Sequence, residues 1–190
     1  MALKATKTKR YTPEEYLALE EKAEFRSEFD DGIIVAMAGG TLNHARITNN
    51  IDRSITNKLK NTCESMTSEV KVQVHNYRKF YYPDVLVICG EPIFYEKRND
   101  TITNPILIVE VISESTEAKD RGEKMLAYRT LESLQEYVLV SQDKAIVEQY
   151  TKTVEGNWIH KVTIGLKSKV KFESMEVEIT LEEIYQRIKL

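Results

Sequence analysis

Tyr82-Pro83-Asp84-Val85-Leu86-Val87-Ile88-Cys89 and Ile106-Leu107-Ile108-Val109-Glu110-Val111-Ile112 are the two most apolar stretches of the chain, and each carries one carboxylate. Runs this dense suit strands buried on both faces rather than on one. A carboxylate inside such a strand is costly unless a cation, a hydrogen-bond network or a raised pKa relieves it. If the two runs pair as an antiparallel hairpin, the midpoint of the intervening segment falls near Arg98. Asp84 and Glu110 then stand nearly opposite each other across the ladder. Two carboxylates so close repel, and a divalent cation between them removes the penalty. The alternative leaves Asp84 in solvent at its strand start and Glu110 pointing outward. Pro83 favours the first reading, because it marks a strand opening from which the next residue can reach a cleft.

Outward from this pair, Thr12-Pro13-Glu14-Glu15 carries a capping box with proline at the first helical position. Extended runs over Phe25–Phe29 and Ile33–Ala38 flank Asp30-Asp31-Gly32, a hairpin turn, and Gly39-Gly40 then breaks the chain. Ile47, Ile51, Ile55 and Leu59 recur every fourth residue, predicting an amphipathic helix from Asn43 to about Lys60. Val70, Val72 and Val74 alternate with polar residues as a half-buried strand. Gly90 to Asn104 reads as a loop or a ragged extension, and Thr116 as the cap of a helix running to about Arg129. Strands are expected over Glu136–Val140, Ala145–Tyr150 and Trp158–Ile164, and a capping box at Thr180 opens a terminal helix. This order predicts a mixed-sheet α/β or α+β domain spanning residues 11–190, behind a flexible basic tail over residues 1–10.

The chain has 190 residues, 42% hydrophobic and 30% charged, as expected of a soluble cytoplasmic protein. No signal peptide or membrane span is expected. Its two cysteines, Cys63 and Cys89, read as buried thiols. A net charge of −3 argues against gripping nucleic acid by bulk electrostatics alone. It does not argue against a site whose metal ion supplies its own positive charge.

Pro83-Asp84 followed by Glu110 resembles the PD-(D/E)XK nuclease superfamily, and more specifically the Uma-two family of candidate restriction endonucleases. The similarity runs from Tyr11-Thr12-Pro13-Glu14-Glu15-Tyr16 through Glu28-Phe29-Asp30-Asp31-Gly32 and His44. It continues through Glu110-Val111-Ile112-Ser113, Ser115-Thr116, Asp120, Lys124 and Tyr128 to Glu136-Tyr137. It implies a restriction-endonuclease-like core, Mg²⁺ or Mn²⁺, DNA as partner, phosphodiester hydrolysis and no organic cofactor. Duplex cleavage would call for a homodimer, since the two scissile bonds are related by a two-fold axis. Asp84 and Glu110 would hold the metal, completed by the Val111 carbonyl.

The sequence departs from the superfamily two residues beyond the acid, where Ile112 stands in place of the usual lysine. Lys124 matches the family's substitute. Asp120, Lys124 and Tyr128 share one helical stripe, which also fits a surface ion pair beside a core tyrosine. Glu28 is either a third acid or an exposed hairpin charge, and His44 either a phosphate contact or a capping residue. Tyr77, Arg78, Lys79, Tyr81 and Tyr82 form an aromatic-basic cluster suited to a nucleic-acid backbone or to a dimer edge. His75 and His160 lack partner spacing and are assigned nothing. Two rival readings remain open: a catalytically inactive relative binding nucleic acid or protein, and a phosphoesterase acting on a small substrate.

Overall fold

The structure, a computed structural model, describes residues 9–74 and 78–190. Most of the basic tail, together with His75 and Tyr77, lies outside the described residues. The capping box at Thr12 forms as expected and starts helix α1 (Pro13–Glu20). The Asp-Gly turn joins β1 (Ser27–Asp30) to β2 (Ile33–Ala36), with Asp31 and Gly32 both at positive φ. Thr41 caps α2 (Leu42–Thr56), which ends four residues earlier than its apolar repeat suggests.

The centre of the molecule is a six-stranded sheet. It contains β3 (Cys63–Thr67), β6 (Val85–Cys89), β8 (Leu107–Ile112), β9 (Glu136–Ser141), β10 (Ile146–Lys152) and β11 (Trp158–Ile164), in the order β11-β10-β9-β8-β6-β3. β6 and β8 pair antiparallel with Val85 opposite Val109, a register that sets Asp84 opposite Glu110 one step further on. β8 and β9 are parallel, so the segment between them crosses over one face of the sheet. A second sheet, β2-β1-β5-β4-β7, adds β4 (Lys71–Val74), β5 (Lys79–Tyr81) and β7 (Thr101–Ile102). β12 (Lys169–Phe172) and β13 (Val177–Thr180) form a separate hairpin leading into α5 (Leu181–Ile184).

Strand alternation divides the core in two. Val85, Val87, Leu107, Val109 and Val111 face α2, the β12–β13 hairpin and α5, where Ile47, Ile51 and Ile55 meet Val170, Phe172 and Ile184. Leu86, Ile88, Ile108 and Ile112 face the other way, against Val72, Val74, Tyr81 and Tyr128. Glu110 shares parity with this second set, and so does Asp84.

Several expectations are corrected. β4 is buried on both faces rather than one, because Lys71 pairs inside the protein with Asp100 at 2.6 Å and Tyr82 Oη at 3.2 Å. The segment read as a loop or ragged extension contains β7, which pairs in parallel with β4. The expected single helix is α3 (Glu117–Lys119), a π-helical turn (Asp120–Lys124) and α4 (Met125–Tyr128). Thr116 stands at the N-cap of this helix, but its side chain makes no capping bond; its Oγ1 accepts from the Ser113 N–H instead. Cys63 and Cys89 are not free thiols: they lie opposite each other on β3 and β6, Cα atoms 4.0 Å apart, and form a disulfide. Among the described residues no helix is long and apolar enough to cross a membrane.

Candidate functional site

Glu110 lies on β8, every residue of which is buried, beside Leu139 of β9 and just past the last β6 pair, and its carboxylate must be met from the adjoining layer. The π-helical turn supplies the partner. Lys124 Nζ lies 3.0 Å from Glu110 Oε1, 2.9 Å from Glu28 Oε1 and 3.5 Å from Asp120 Oδ1. Tyr128 Oη donates to Glu110 Oε1 at 3.3 Å. Glu110, Asp120, Lys124 and Glu28 are 3%, 4%, 6% and 6% exposed, so this cluster is interior. The stripe Asp120, Lys124, Tyr128 therefore faces inward, and the surface ion pair is not what forms. Glu28, on β1, is not an exposed hairpin charge: its other oxygen, Oε2, accepts from Lys119 Nζ at 2.7 Å.

Asp84 occupies the bend that opens β6. Its Oδ2 accepts the Val111 N–H at 2.7 Å, replacing the strand partner that β8 lacks at this point, and lies 3.1 Å from His44 Nε2. The N–H and C=O of one strand residue face the same neighbour, so the Val111 carbonyl is directed to the Asp84 side. His44 stands in the first turn of α2, its own N–H capped by Thr41 Oγ1 at 3.1 Å. Gly40 passes tightly beside it, where a Cβ would meet His44 Nδ1 at 3.1 Å. Asp84 and His44 are the more open part of the site, their side chains 14% and 25% exposed.

The charges are unevenly matched. Burial lifts the Glu110 carboxyl well above the usual carboxylate range; Lys124 opposes the shift, while Asp120, Asp84 and Glu28 add to it. Burial likewise raises Asp120, against the pull of Lys124. Burial would raise Glu28 too, but Lys124 and Lys119 outweigh it and hold this carboxyl low. Burial alone would lower the Lys124 ammonium, yet Glu110, Glu28 and Asp120 drive it well above an ordinary lysine. The hydrogen bond to Asp84 raises His44 despite its partial burial.

Four carboxylates thus meet two ammoniums. Such a surplus of hard oxygen donors fits a divalent cation. Among the described residues, however, no three His, Cys, Asp or Glu side chains stand as a ready cage. The Lys124 ammonium itself sits among three of the carboxylates.

Among the described residues of the cluster expected to face nucleic acid, only Arg78 behaves as a surface residue. Its side chain is exposed, and its guanidinium lies 3.9 Å from Asp31. Lys79 and Tyr81 are buried, a correction that follows from β5 being the central strand of its sheet, flanked by β1 and β4. Lys79 pairs with Asp30 at 2.7 Å and with Glu123. The Tyr81 ring lies 5.4 Å from both Lys119 Nζ and Lys124 Nζ. Sequence reasoning missed Lys119, which in a helix reads as ordinary surface charge. No local signal marks it, because Glu28 comes from a strand far away in the chain.

Residues 13–183 match the family model Uma2, described as "Putative restriction endonuclease". An uncharacterized protein of Synechocystis sp. is 36% identical over 171 residues, covering 90% of this chain and 97% of the relative. A second uncharacterized protein of the same organism is 35% identical over 176 residues, covering 92% of this chain and 91% of the relative. The fold is similar to the crystal structure of a protein of Anabaena variabilis titled as a putative nuclease belonging to DUF820. That match has a TM-score of 0.75 at 18% identity, covering 92% of this chain and 97% of the other.

Proposed function

Because this chain belongs to the Uma2 family, we propose that it is a divalent-metal-dependent endonuclease hydrolysing DNA phosphodiester bonds. The observation that carries the reading is the Glu110–Lys124 pair, buried at the strand end that Asp84 faces across the β6–β8 register. Asp84, Glu110 and the Val111 carbonyl are the groups that would hold Mg²⁺ or Mn²⁺. Bound there, the ion would polarise the scissile phosphate and acidify a water molecule. Lys124 stands beside Glu110 where Ile112 offers no cation, and opposes the upward shift that burial imposes on the Glu110 carboxyl. Tyr128 fixes the orientation of Glu110, and Asp120 completes the ring of acceptors around the ammonium. His44, tethered to Asp84 at the open side, would meet a phosphate oxygen. On duplex DNA the enzyme would act as a homodimer.

The test is cleavage of supercoiled plasmid with Mg²⁺, with Mn²⁺ and with EDTA, for the wild type and Asp84→Asn. Cleavage is expected only from the wild type with metal. The asparagine oxygen can still accept the Val111 N–H, so stability without metal should hold to within about 1 kcal/mol. Absence of cleavage by the folded wild type on both duplex and single strands would overturn the proposal. It would favour the inactive-relative reading, to which the saturation of Lys124 by three carboxylates lends support.

A further inference from the structure

A nuclease site needs a cation that an incoming phosphate can reach, and Lys124 does not meet that need. An ammonium has three N–H donors, and those of Lys124 face Glu28, Glu110 and Asp120. Its side chain is 8% exposed. Its charge therefore acts on the carboxylates rather than on a ligand arriving from solvent.

Lys119 is placed differently. The Glu28 carboxylate divides between two lysines, Oε1 to Lys124 inside the protein and Oε2 to Lys119 nearer the surface. The Lys119 side chain is 31% exposed, and Glu28 is its single carboxylate partner among the described residues. Two of its donors are thus left for a ligand. The Tyr81 ring, 5.4 Å away, favours the charge without consuming a donor. Among the described residues no acid on the same helical segment forms an ion pair with it, although Glu123 feels its charge. Glu117 is paired with Arg121 at 2.7 Å, and Glu123 with Lys79.

We propose that Lys119 binds a backbone phosphate of the nucleic-acid strand beside the scissile one, while Lys124 holds the carboxylates in place. The identity of the ligand rests on the nuclease reading, but the contact itself is a binding event and is tested as one. A fluorescein-labelled DNA duplex of mixed sequence would be titrated with the wild type, Lys119→Gln and Lys119→Arg in EDTA, across a series of salt concentrations.

The glutamine variant is expected to bind roughly tenfold more weakly at low salt. Its plot of log K against log salt should be shallower by about 0.9, the loss of one phosphate contact. The arginine variant should restore both. An unchanged slope in a normally melting Lys119→Gln protein would overturn the inference, as would failure of the wild type to bind DNA. So would unfolding of Lys119→Gln, since the lysine would then be a structural counter-ion of Glu28. A wild type that bound but never cut would overturn the nuclease reading and leave the Lys119 contact standing.

Discussion

An ammonium enclosed by three carboxylates is stable only as part of the set, because each charge removes the desolvation penalty of the others. Lys124 is in that position with Glu28, Glu110 and Asp120. Replacing Lys124 with methionine keeps the length and leaves the acids uncompensated. Plasmid cleavage should fall by about 10–100-fold, the scale of losing a group that orients metal-holding carboxylates. Chemical denaturation at neutral pH should show a loss of about 3–5 kcal/mol, as when one partner of a buried pair is removed. The loss should shrink in acid, where Glu110 and Asp120, already raised by burial, take up protons and no longer need a counter-ion. Cleavage by Lys124→Met at the wild-type rate would remove Lys124 from the mechanism.

At the scale of elements, two local devices hold the site and its surroundings. The π-helical turn over Asp120–Lys124 turns Asp120 and Lys124 inward while Arg121 reaches Glu148 and Glu123 reaches Lys79. Such turns are frequent at functional sites because they re-aim side chains within an otherwise helical segment. The second device is Glu136, fully buried at the start of β9. Its carboxylate accepts from Gln149 Nε2, from the Glu173 and Ser174 N–H groups and from Ser174 Oγ, fastening the turn of the β12–β13 hairpin to the sheet. Glu136→Gln puts an amide donor among these donors and removes the charge. Unfolding free energy should fall by about 2–3 kcal/mol, the worth of hydrogen bonds to a charged acceptor. Hydrogen exchange should quicken first in β12 and β13. A neutral effect would mean that the hairpin is held by its apolar face alone.

Across the whole molecule, the second sheet packs on the first through apolar contacts, and a polar network centred on Asp100 ties its strand β4 to the segment before β7 and to the end of α1. Lys71 donates to Asp100 at 2.6 Å and Arg98 at 2.7 Å, and Arg98 also reaches Glu21 beyond the end of α1. Arg98 is the main cause holding the Asp100 carboxyl well below the usual range, with Lys71 and Thr101 adding to it against burial. A carboxyl depressed in the folded state contributes stability above its unfolded value of about 3.9. That contribution is lost as pH falls through the folded value. Asp100→Asn should therefore be less stable than the wild type at neutral pH, with a gap that closes progressively below about pH 3.9. A gap that stayed constant with pH would assign the effect to hydrogen-bond geometry rather than to charge.

Local chemistry was enough for much of the architecture. Capping boxes at Thr12 and Thr180, the Asp31-Gly32 turn and the isoleucine repeat of α2 act within a few residues of themselves, so they can be read without knowing the fold. The placement of Asp84 and Glu110 about one midpoint likewise anticipated the antiparallel register, because facing positions across a paired ladder sum to a constant. The buried face of Asp120, Lys124 and Tyr128 was legible as a helical stripe, but its direction was not. Short or unpatterned strands such as β3, β5 and β7 went unread, since each is stabilised by neighbours distant in the chain. The same holds for the Cys63–Cys89 bond and for the interior positions of Lys79 and Tyr81. Only the tertiary structure decided that Glu28 bridges Lys119 and Lys124. A charge reads the same in sequence whether it meets water or a counter-ion, and its environment comes from the strand and helix that the fold sets beside it.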